Sequence, residues 1–310
     1  MKRKWTTIVV LILAFSLVLA ACGGDSASEY DLVQEDKILV CSDIPYPPFE
    51  FEDGANYVGF DVELMDAIGD ELGLDVEFID SGFESITAGT AMVGGECDIA
   101  ASAITIKPDR EENIDFSDPY FDADQSLMVK ADSGITSLAG LDGMRLGVQS
   151  GTTGEGYAQA NKPAGTELVG FAESGQLFLA IEAGDIQGIL QDLPVNAERL
   201  VGDDTLTIVE TYPTDENYGF AVKEEGSEDL LTAVNAALAT LREGDSYDSY
   251  DSSDDASLDC EGDEAYAATL KPAPRKRRRP NPLRAIMRMF PEIVGISFIV
   301  FLKRRFRNSR

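Results

Sequence analysis

The chain has 310 residues, of which 56 are Asp or Glu and 25 are Lys or Arg, so its formal net charge at pH 7 is −31. With 44% apolar residues it is long and apolar enough to form one or two globular domains with real cores. The acidic balance argues against nucleic acid as a partner, and the absence of His removes histidine as a general base.

The first residues are typical of a targeting segment. A basic start and an apolar run precede Leu19-Ala20-Ala21-Cys22, which resembles a lipobox. In this interpretation residues 1–21 are a lipoprotein signal peptide, Cys22 is lipidated and residues 22–35 are an acidic tether. The alternative is an ordinary secretory signal with an incidental Cys. In either case the mature protein lies outside the cytoplasm.

The next part of the chain alternates strand and helix patterns. The first unit predicts strands over 37–41, 74–79 and 98–104 and helices over 59–72 and 83–92. The second unit predicts strands over 144–148, 168–171, 186–190 and 206–209 and helices over 154–161, 174–183 and 194–201. A strand over 218–222 and an amphipathic helix over 227–241 complete the body.

Two α/β units with parallel strands predict two lobes with a ligand cleft between them. We expect lobe 1 to comprise residues 36–128 and 214–250 and lobe 2 residues 129–213. Segments 125–130 and 217–222 are expected to cross between the lobes.

Two tails of opposite charge follow the body. Residues 251–270 are predicted to be an acidic disordered linker. Residues 271–310 form a basic tail of open role, with an apolar run that is too short for a bilayer span of about 20 residues. Its helical spacing fits a basic amphipathic helix on a membrane surface, and a fusion or a change of reading frame is the alternative.

The four cysteines do not suggest a metal site. We expect Cys41 and Cys97 at opposite ends of neighbouring parallel strands. Several residues, each with a rise of ~3.3 Å along the strand, would separate them, which is too far for a disulfide. Both are therefore expected to be free and buried. Cys260 has no evident mate.

The acidic residues are spread along the whole body. Residues 23–270 contain 55 acidic and nine basic residues. The even spread favours adaptation to a salty habitat, where molar salt shortens the Debye length to roughly 3 Å. An acidic face for a basic partner is the alternative, and it would require clustering.

Five motifs together resemble the extracellular solute-binding proteins of ABC importers, in the polar amino-acid group. They are DIPYPPFEF (43–51), YVGFDVELMDAI (57–68), SAITIKPDREENIDFSDPYF (102–121), GVQSGTTGE (147–155) and ILQDLPVN (189–196). The resemblance covers about residues 36–250. It implies an α/β, two-lobed, type II periplasmic-binding-protein-like fold with the ligand cleft between the lobes.

The resemblance also implies the groups that hold the ligand backbone. Arg110 matches the residue that clamps the α-carboxylate, Thr105 the hydroxyl that shares it and Ala103 a backbone contributor. In the second lobe, Thr152 and Thr153 match an anchor at a helix start, where anions bind well. Asp192 matches the acid that takes the ammonium.

The remaining implied contacts concern the ligand side chain. Tyr46 and Phe83 match an aromatic pair that sandwiches the ligand. Asp43, Gln149 and Gln191 match positions that distinguish side chains, and they favour a polar or basic one.

Each of these residues also has a simpler structural interpretation. Arg110 could pair with Asp109 or Glu111 at the surface, a contact of little energetic value. Asp192 could cap the following helix. Tyr46 could belong to a rigid turn, and Phe83 to the core.

The implied function is the substrate-binding component of an ABC importer. It would capture a polar or basic amino acid outside the cell and deliver it to a permease with a cytoplasmic ATPase. The protein would be a monomer, lipid-anchored to the outer face of the cytoplasmic membrane, with no cofactor and no metal. The alternatives are a ligand-sensing domain of the same fold and a cyclohexadienyl-dehydratase-like enzyme, which would have to work without histidine.

Overall fold

The computed structural model of the protein describes residues 30–243. The predicted signal peptide, the lipidation site Cys22, most of the tether, the acidic linker, Cys260 and the basic tail lie outside the described residues. The end of the predicted tether does lie within them. There Tyr30 and Leu32 pack against the first core, and the Val33 N–H donates to Asp98.

The described residues form two mixed α/β lobes. The strands are β1 Lys37–Ser42, β2 Phe51–Asp53, β3 Asn56–Val58, β4 Asp75–Asp80, β5 Ile99–Ala100, β6 Ile114–Phe116, β7 Phe121–Lys130, β8 Arg145–Gln149, β9 Glu167–Phe171, β10 Gly188–Asp192, β11 Leu206–Tyr218 and β12 Ala221–Lys223. The α-helices are α1 Phe60–Leu72, α2 Phe83–Thr87, α3 Thr90–Val93, α4 Thr153–Asn161, α5 Ser174–Ala183, α6 Leu193–Arg199 and α7 Glu228–Glu243.

The first lobe is built on a five-stranded sheet of order β4-β1-β5-β12-β6. β1 pairs in parallel with β4 and β5, and β12 pairs antiparallel with β5 and β6. α1 and α7 cover one face, because their apolar residues recur at helical spacing and pack on Ile38 and Val40. This arrangement brings the carboxyl ends of β1 and β5 to the edge that faces the second lobe.

The second lobe is built on a sheet of order β11-β7-β10-β8-β9. β8 pairs in parallel with β9 and β10, and β7 runs antiparallel between β10 and β11. One core cluster lies around Leu127, Leu146 and Leu190, and another lies around Leu177 and Ile189.

The chain passes between the two sheets twice, after β6 and after β11. The first passage lies between β6 and β7. It therefore precedes residues 125–130, which were expected to cross but pair with both neighbouring strands of the second sheet. β11 is much longer than the predicted strand over 206–209, because it pairs with β7 through two irregular registers as far as Tyr218. Where the passages meet, the rings of Phe121 and Tyr218 stack on each other and the Phe49 ring packs edge to face against both.

Two predicted elements of the first lobe are shorter than expected. The predicted helix over 83–92 divides into α2 and α3 at Gly89, whose φ of 72° is left-handed and whose added Cβ would lie 2.8 Å from the Asn113 oxygen. The predicted strand over 98–104 shortens to β5, because the chain leaves the sheet and Ala103 adopts a φ of 45°.

The prediction that Cys41 and Cys97 are free is wrong. The two sulfurs form a disulfide with 5.7 Å between the Cα atoms. The prediction placed the two cysteines at opposite ends of neighbouring strands, but β5 begins only at Ile99, so Cys97 lies before the strand and packs with Cys41 in one core cluster. Both cysteines are buried, as expected.

Neither a membrane-spanning helix nor a metal cluster occurs within residues 30–243. No helix there is long and apolar enough to cross a bilayer. No group of three or more His, Cys, Asp or Glu in this range is arranged to hold a metal ion.

Candidate functional site

A small pocket lies between the two lobes. Lobe 1 contributes Asp43, Tyr46, Phe83, Ser102, Ala103, Thr105 and Arg110, and lobe 2 contributes Gln149, Thr152, Thr153 and Asp192. Ten of the eleven predicted binding residues therefore meet in one place. The missing one is Gln191, which bonds to Ser174 and Asn196 and does not line the pocket.

Arg110 presents a buried guanidinium to this pocket. It is 4% exposed, and its carbon lies 5.1 Å from the centroid of the Phe83 ring. Its Nη1 donates to the Thr105 carbonyl at 2.9 Å, and its Nη2 donates to the Gly151 carbonyl of the other lobe at 3.1 Å. Burial lowers the pKa of Arg110, against the opposing effect of Asp192.

The ion pairs of the described residues do not include Arg110. Asp109, which was its candidate surface partner, pairs with Lys107 at 3.0 Å. A buried cation is costly unless an anion accompanies it. Arg110 is therefore suited to a planar anion that enters the pocket, such as a carboxylate.

Asp192 ends β10 and collects hydrogen bonds from three side chains. Its Oδ2 accepts from the hydroxyls of Tyr46, at 3.0 Å, and Tyr218. Its Oδ1 accepts from Gln125 Nε2 at 2.5 Å. Burial raises the pKa of Asp192 to about 6, and the nearby negative charge of Glu216 adds to this effect. A cation beside Asp192 would lower that pKa.

Asp192 also occupies the N-cap position of α6, but its side chain makes no capping hydrogen bond. The Asp192 carboxylate therefore does not cap α6, contrary to the simpler interpretation of this residue. Its oxygens are instead directed to tyrosine and glutamine side chains around the pocket.

Ala103 and Thr105 have part of their hydrogen-bonding capacity already in use. The Ala103 N–H donates to Asp61 Oδ2 at 2.9 Å, so the backbone group that Ala103 retains for a ligand is its carbonyl. A carbonyl accepts from an ammonium and repels a carboxylate. The Thr105 hydroxyl donates to Glu216 Oε2 at 3.1 Å and keeps lone pairs that can accept.

The start of α4 faces the pocket from lobe 2. Thr152 is its N-cap, with Oγ1 accepting from the Glu155 N–H at 3.1 Å. Thr153 Oγ1 accepts from Gln125 Nε2 at 3.2 Å. Free N–H groups at a helix start favour an anion nearby, on the side of the pocket that holds Arg110.

Asp43 gives the pocket a second acidic side chain besides Asp192. It is 8% exposed, and Gln149 Nε2 donates to its Oδ2 at 2.6 Å across the cleft. Burial, reinforced by Asp80 and Glu173 and opposed by the Gln149 hydrogen bond, raises the pKa of Asp43 to about 6. The surroundings of Asp43 therefore suit a cationic or hydrogen-bond-donating group.

The two predicted aromatic residues lie on lobe 1 and border the pocket. Tyr46 lies in a turn with cis peptide bonds before Pro45 and Pro48, and its ring stacks on Phe49. Phe83 begins α2. Each is 9% exposed and also belongs to a core cluster, so the packing and pocket-lining interpretations are compatible.

Sequence reasoning missed three polar residues at the site. Ser102 lines the pocket, and Gln125 and Glu216 lie behind it in the paired strands β7 and β11. Gln125 is fully buried in β7, whose first half also contains Asp122 and Asp124. Gln125 and Glu216 both lie in polar stretches of the sequence, so no break in an apolar pattern could have identified them.

A two-lobed α/β fold with a polar, charged pocket between its lobes is typical of solute-binding proteins. The model of the family "Bacterial extracellular solute-binding proteins, family 3" matches residues 38–252, and the chain belongs to this family.

Similar proteins include two bacterial relatives and one solved structure. The probable histidine-binding protein of Neisseria gonorrhoeae is 31% identical over 79% of this chain and 93% of its own length. The arginine-binding extracellular protein ArtP of Bacillus subtilis is 37% identical over 49% of this chain and 58% of its own length. The structure of holo ArgBP from T. maritima has a TM-score of 0.62 at 31% identity, covering 67% of this chain and 91% of that one.

Proposed function

We propose that the chain is the substrate-binding component of an ABC importer and captures an amino acid with a cationic side chain. The single observation that carries this proposal is the charge layout of the pocket. The Arg110 guanidinium, which forms no ion pair among the described residues, shares the pocket with the two buried acids Asp43 and Asp192. The names of the relatives, which bind arginine or histidine, support the same class of ligand.

Each part of such a ligand has a matching group in the pocket. The α-carboxylate binds Arg110 and the start of α4. The ammonium binds Asp192 and the Ala103 carbonyl. The side chain extends between Tyr46 and Phe83 towards Asp43, which its positive charge would keep ionised.

A thermal-shift screen of the mature protein in molar KCl tests this proposal. Arginine, lysine, histidine, glutamine and glutamate are compared at equal concentrations. A ligand at 100 times its dissociation constant adds about 2.7 kcal/mol of stability, a rise in Tm of roughly 5–10 °C for a domain of this size. We expect a cationic amino acid to give the largest shift, and a largest shift with glutamate would contradict the proposal.

The variant Asp43→Asn separates the side-chain contact from the backbone contacts. It should lose most of the affinity for the cationic amino acid and little of the weaker affinity for glutamine. Asp70→Asn is the matched control, because Asp70 is an exposed acid on α1 of the same lobe and is not a pocket-lining residue. Equal losses for both ligands would place the cation elsewhere.

Attachment to the membrane through Cys22 and delivery to a permease form a separate part of the proposal. They are supported by the lipobox-like sequence and by the family's role in transport. Cys22→Ala should move the protein from the membrane fraction to the soluble fraction and leave ligand affinity unchanged. If the variant stays with the membrane, the basic residues 271–310 become the candidate anchor.

A further inference from the structure

Two carboxyl side chains are fully buried behind the ligand pocket. Glu50 precedes β2, and Asp61 lies in the first turn of α1, each with 0% exposure. The Asp61 N–H bonds to the carbonyl of Phe49, the residue before Glu50, so the two segments are in direct contact. Neither acid lines the pocket.

Each carboxyl group has one bonded oxygen and one without a partner. Glu50 Oε1 accepts from the Ser102 hydroxyl at 2.7 Å. Asp61 Oδ2 accepts from the Ala103 N–H at 2.9 Å and from the Tyr120 hydroxyl at 2.6 Å. Glu50 Oε2 and Asp61 Oδ1 are buried with no hydrogen-bond partner among the described residues.

Two buried carboxyl groups on contacting segments, each with an unpaired oxygen, are best accommodated with one proton between them. Two carboxylates can form no hydrogen bond with each other, whereas a carboxylic acid donates to a carboxylate in a short, strong bond. Two neighbouring buried anions would also repel each other, and burial followed by Asp61 raises the pKa of Glu50 well above its usual range. Burial likewise raises the pKa of Asp61, to about 7.

The surroundings place the proton on Glu50. The Asp61 anion is stabilised by two donors and by the start of α1, whereas Glu50 has one donor. The titratable groups that face the pair are the phenols Tyr46 and Tyr120 and the acids Asp43 and Asp192, so the nearby charges disfavour a second anion.

The pair is bonded to two consecutive residues of the pocket wall. Ser102, held by Glu50, also accepts a hydrogen bond from the Asp43 N–H at 3.0 Å. Ala103, held by Asp61, has the left-handed φ of 45° that costs energy for a residue with a Cβ. We propose that Glu50 and Asp61 share one proton, and that this acid pair positions the Ser102 and Ala103 backbone for the ligand.

Amide substitutions test the sharing directly. Glu50→Gln keeps a donor towards Asp61, and Asp61→Asn gives a donor towards an ionised Glu50, so either single variant preserves the pairing. The double variant places two NH₂ groups against each other. We expect Glu50→Gln to bind within about twofold of wild type, and the double variant to bind at least about tenfold more weakly than additivity of the single effects predicts. Additive losses would overturn the proposal.

The remaining readouts distinguish proton sharing from a merely structural role. At pH 8 the infrared spectrum should contain the carbonyl band of one protonated carboxylic acid, and either single amide variant should lack it. Exposed Asp70→Asn on α1, the matched control, should retain it. Wild-type affinity should fall at alkaline pH relative to Glu50→Gln, which has no proton to lose.

An absent band in the wild type, or a band that persists in both variants, would overturn the proposal. The affinity arms rest on the proposed amino-acid ligand. The infrared arm needs no ligand, so a failure of the ligand assignment is recognised separately.

Discussion

Gln149 of the second lobe donates a hydrogen bond to Asp43 of the first, with 2.6 Å between Nε2 and Oδ2. The bonds from Tyr46 to Asp192 and from Arg110 to the Gly151 carbonyl also cross the cleft. The same residues line the pocket, so closure of the two lobes and assembly of the site are one event. The ribbon of β7 and β11 beside both passages is the element about which such a closure can turn.

Arg110→Lys tests the planar clamp. A lysine retains the charge but cannot donate to two carbonyls and hold a carboxylate with two parallel bonds. We expect the dissociation constant to rise at least about 100-fold, because loss of a buried charged contact costs 2–5 kcal/mol. Isothermal titration calorimetry measures this, with circular dichroism to establish folding. Arg145→Lys, at a half-buried arginine of lobe 2 that does not line the pocket, should bind as wild type. Unchanged binding in Arg110→Lys would contradict the clamp.

Ligand affinity and stability should respond to pH in opposite directions. Asp43 and Asp192, with pKa values raised to about 6, must be ionised to bind cationic groups. Affinity should therefore fall as the pH is lowered from 7.5 to 5, by up to about tenfold for each unit and each group below its pKa. Titration calorimetry at each pH measures this, and Asp43→Asn should show a shallower dependence.

The stability of the ligand-free protein should change with the opposite sign. A folded pKa above the unfolded value means that the native state binds more protons between about pH 4 and 6, so stability is lost as the pH rises through this window. The Tm without ligand should thus be higher at pH 5 than at pH 7.5, measured in molar KCl to screen the surface charge. The double variant Asp43→Asn, Asp192→Asn should reduce the difference, and an unchanged difference would assign it to other acids.

The disulfide gives a stability prediction that sequence reasoning alone would have missed. Cys41 and Cys97 are 56 residues apart, and closing a loop of that length contributes roughly 4 kcal/mol in the chain-entropy model. Cys41→Ala with Cys97→Ala should lower the free energy of unfolding by about 2–4 kcal/mol in urea titrations. The matched control is the wild type unfolded in reductant, which should resemble the double variant. Equal stability of oxidised and reduced protein would contradict the prediction.

The sequence predicted the lobes because their elements are periodic. The helices α1 and α5 are buried on one face, which gives their apolar residues a helical spacing. The strands β1 and β8 are buried on both faces, which makes them short apolar runs. The family-like motifs brought together ten of eleven expected pocket residues. Of these, Gln149 and Asp192 end strands and Phe83 and Thr153 begin helices.

The failures share a physical cause, which is that tertiary contacts decided the local conformation. The segment after β5 consists of small and apolar residues and resembles a strand, but Asp61 holds the Ala103 N–H outside the sheet. β11 extends through a polar segment that contains Pro213, because β7 supplies the pairing partner. Cys97 depends on a bend whose position no periodicity reveals.

The acidic composition predicts a dependence of stability on salt. Residues 23–270 have 55 acidic and nine basic residues, and their mutual repulsion weakens as the Debye length falls from about 10 Å at 0.1 M to about 3 Å at 1 M. We therefore expect the Tm to rise when KCl is increased over this range. A variant without four exposed acids that do not line the pocket should show a smaller rise in Tm over the same range of KCl. Its substitutions are Asp70→Asn, Glu71→Gln, Glu96→Gln and Asp132→Asn. An equal rise in the variant would assign the effect to general salt action on the apolar core, because that action does not depend on surface charge.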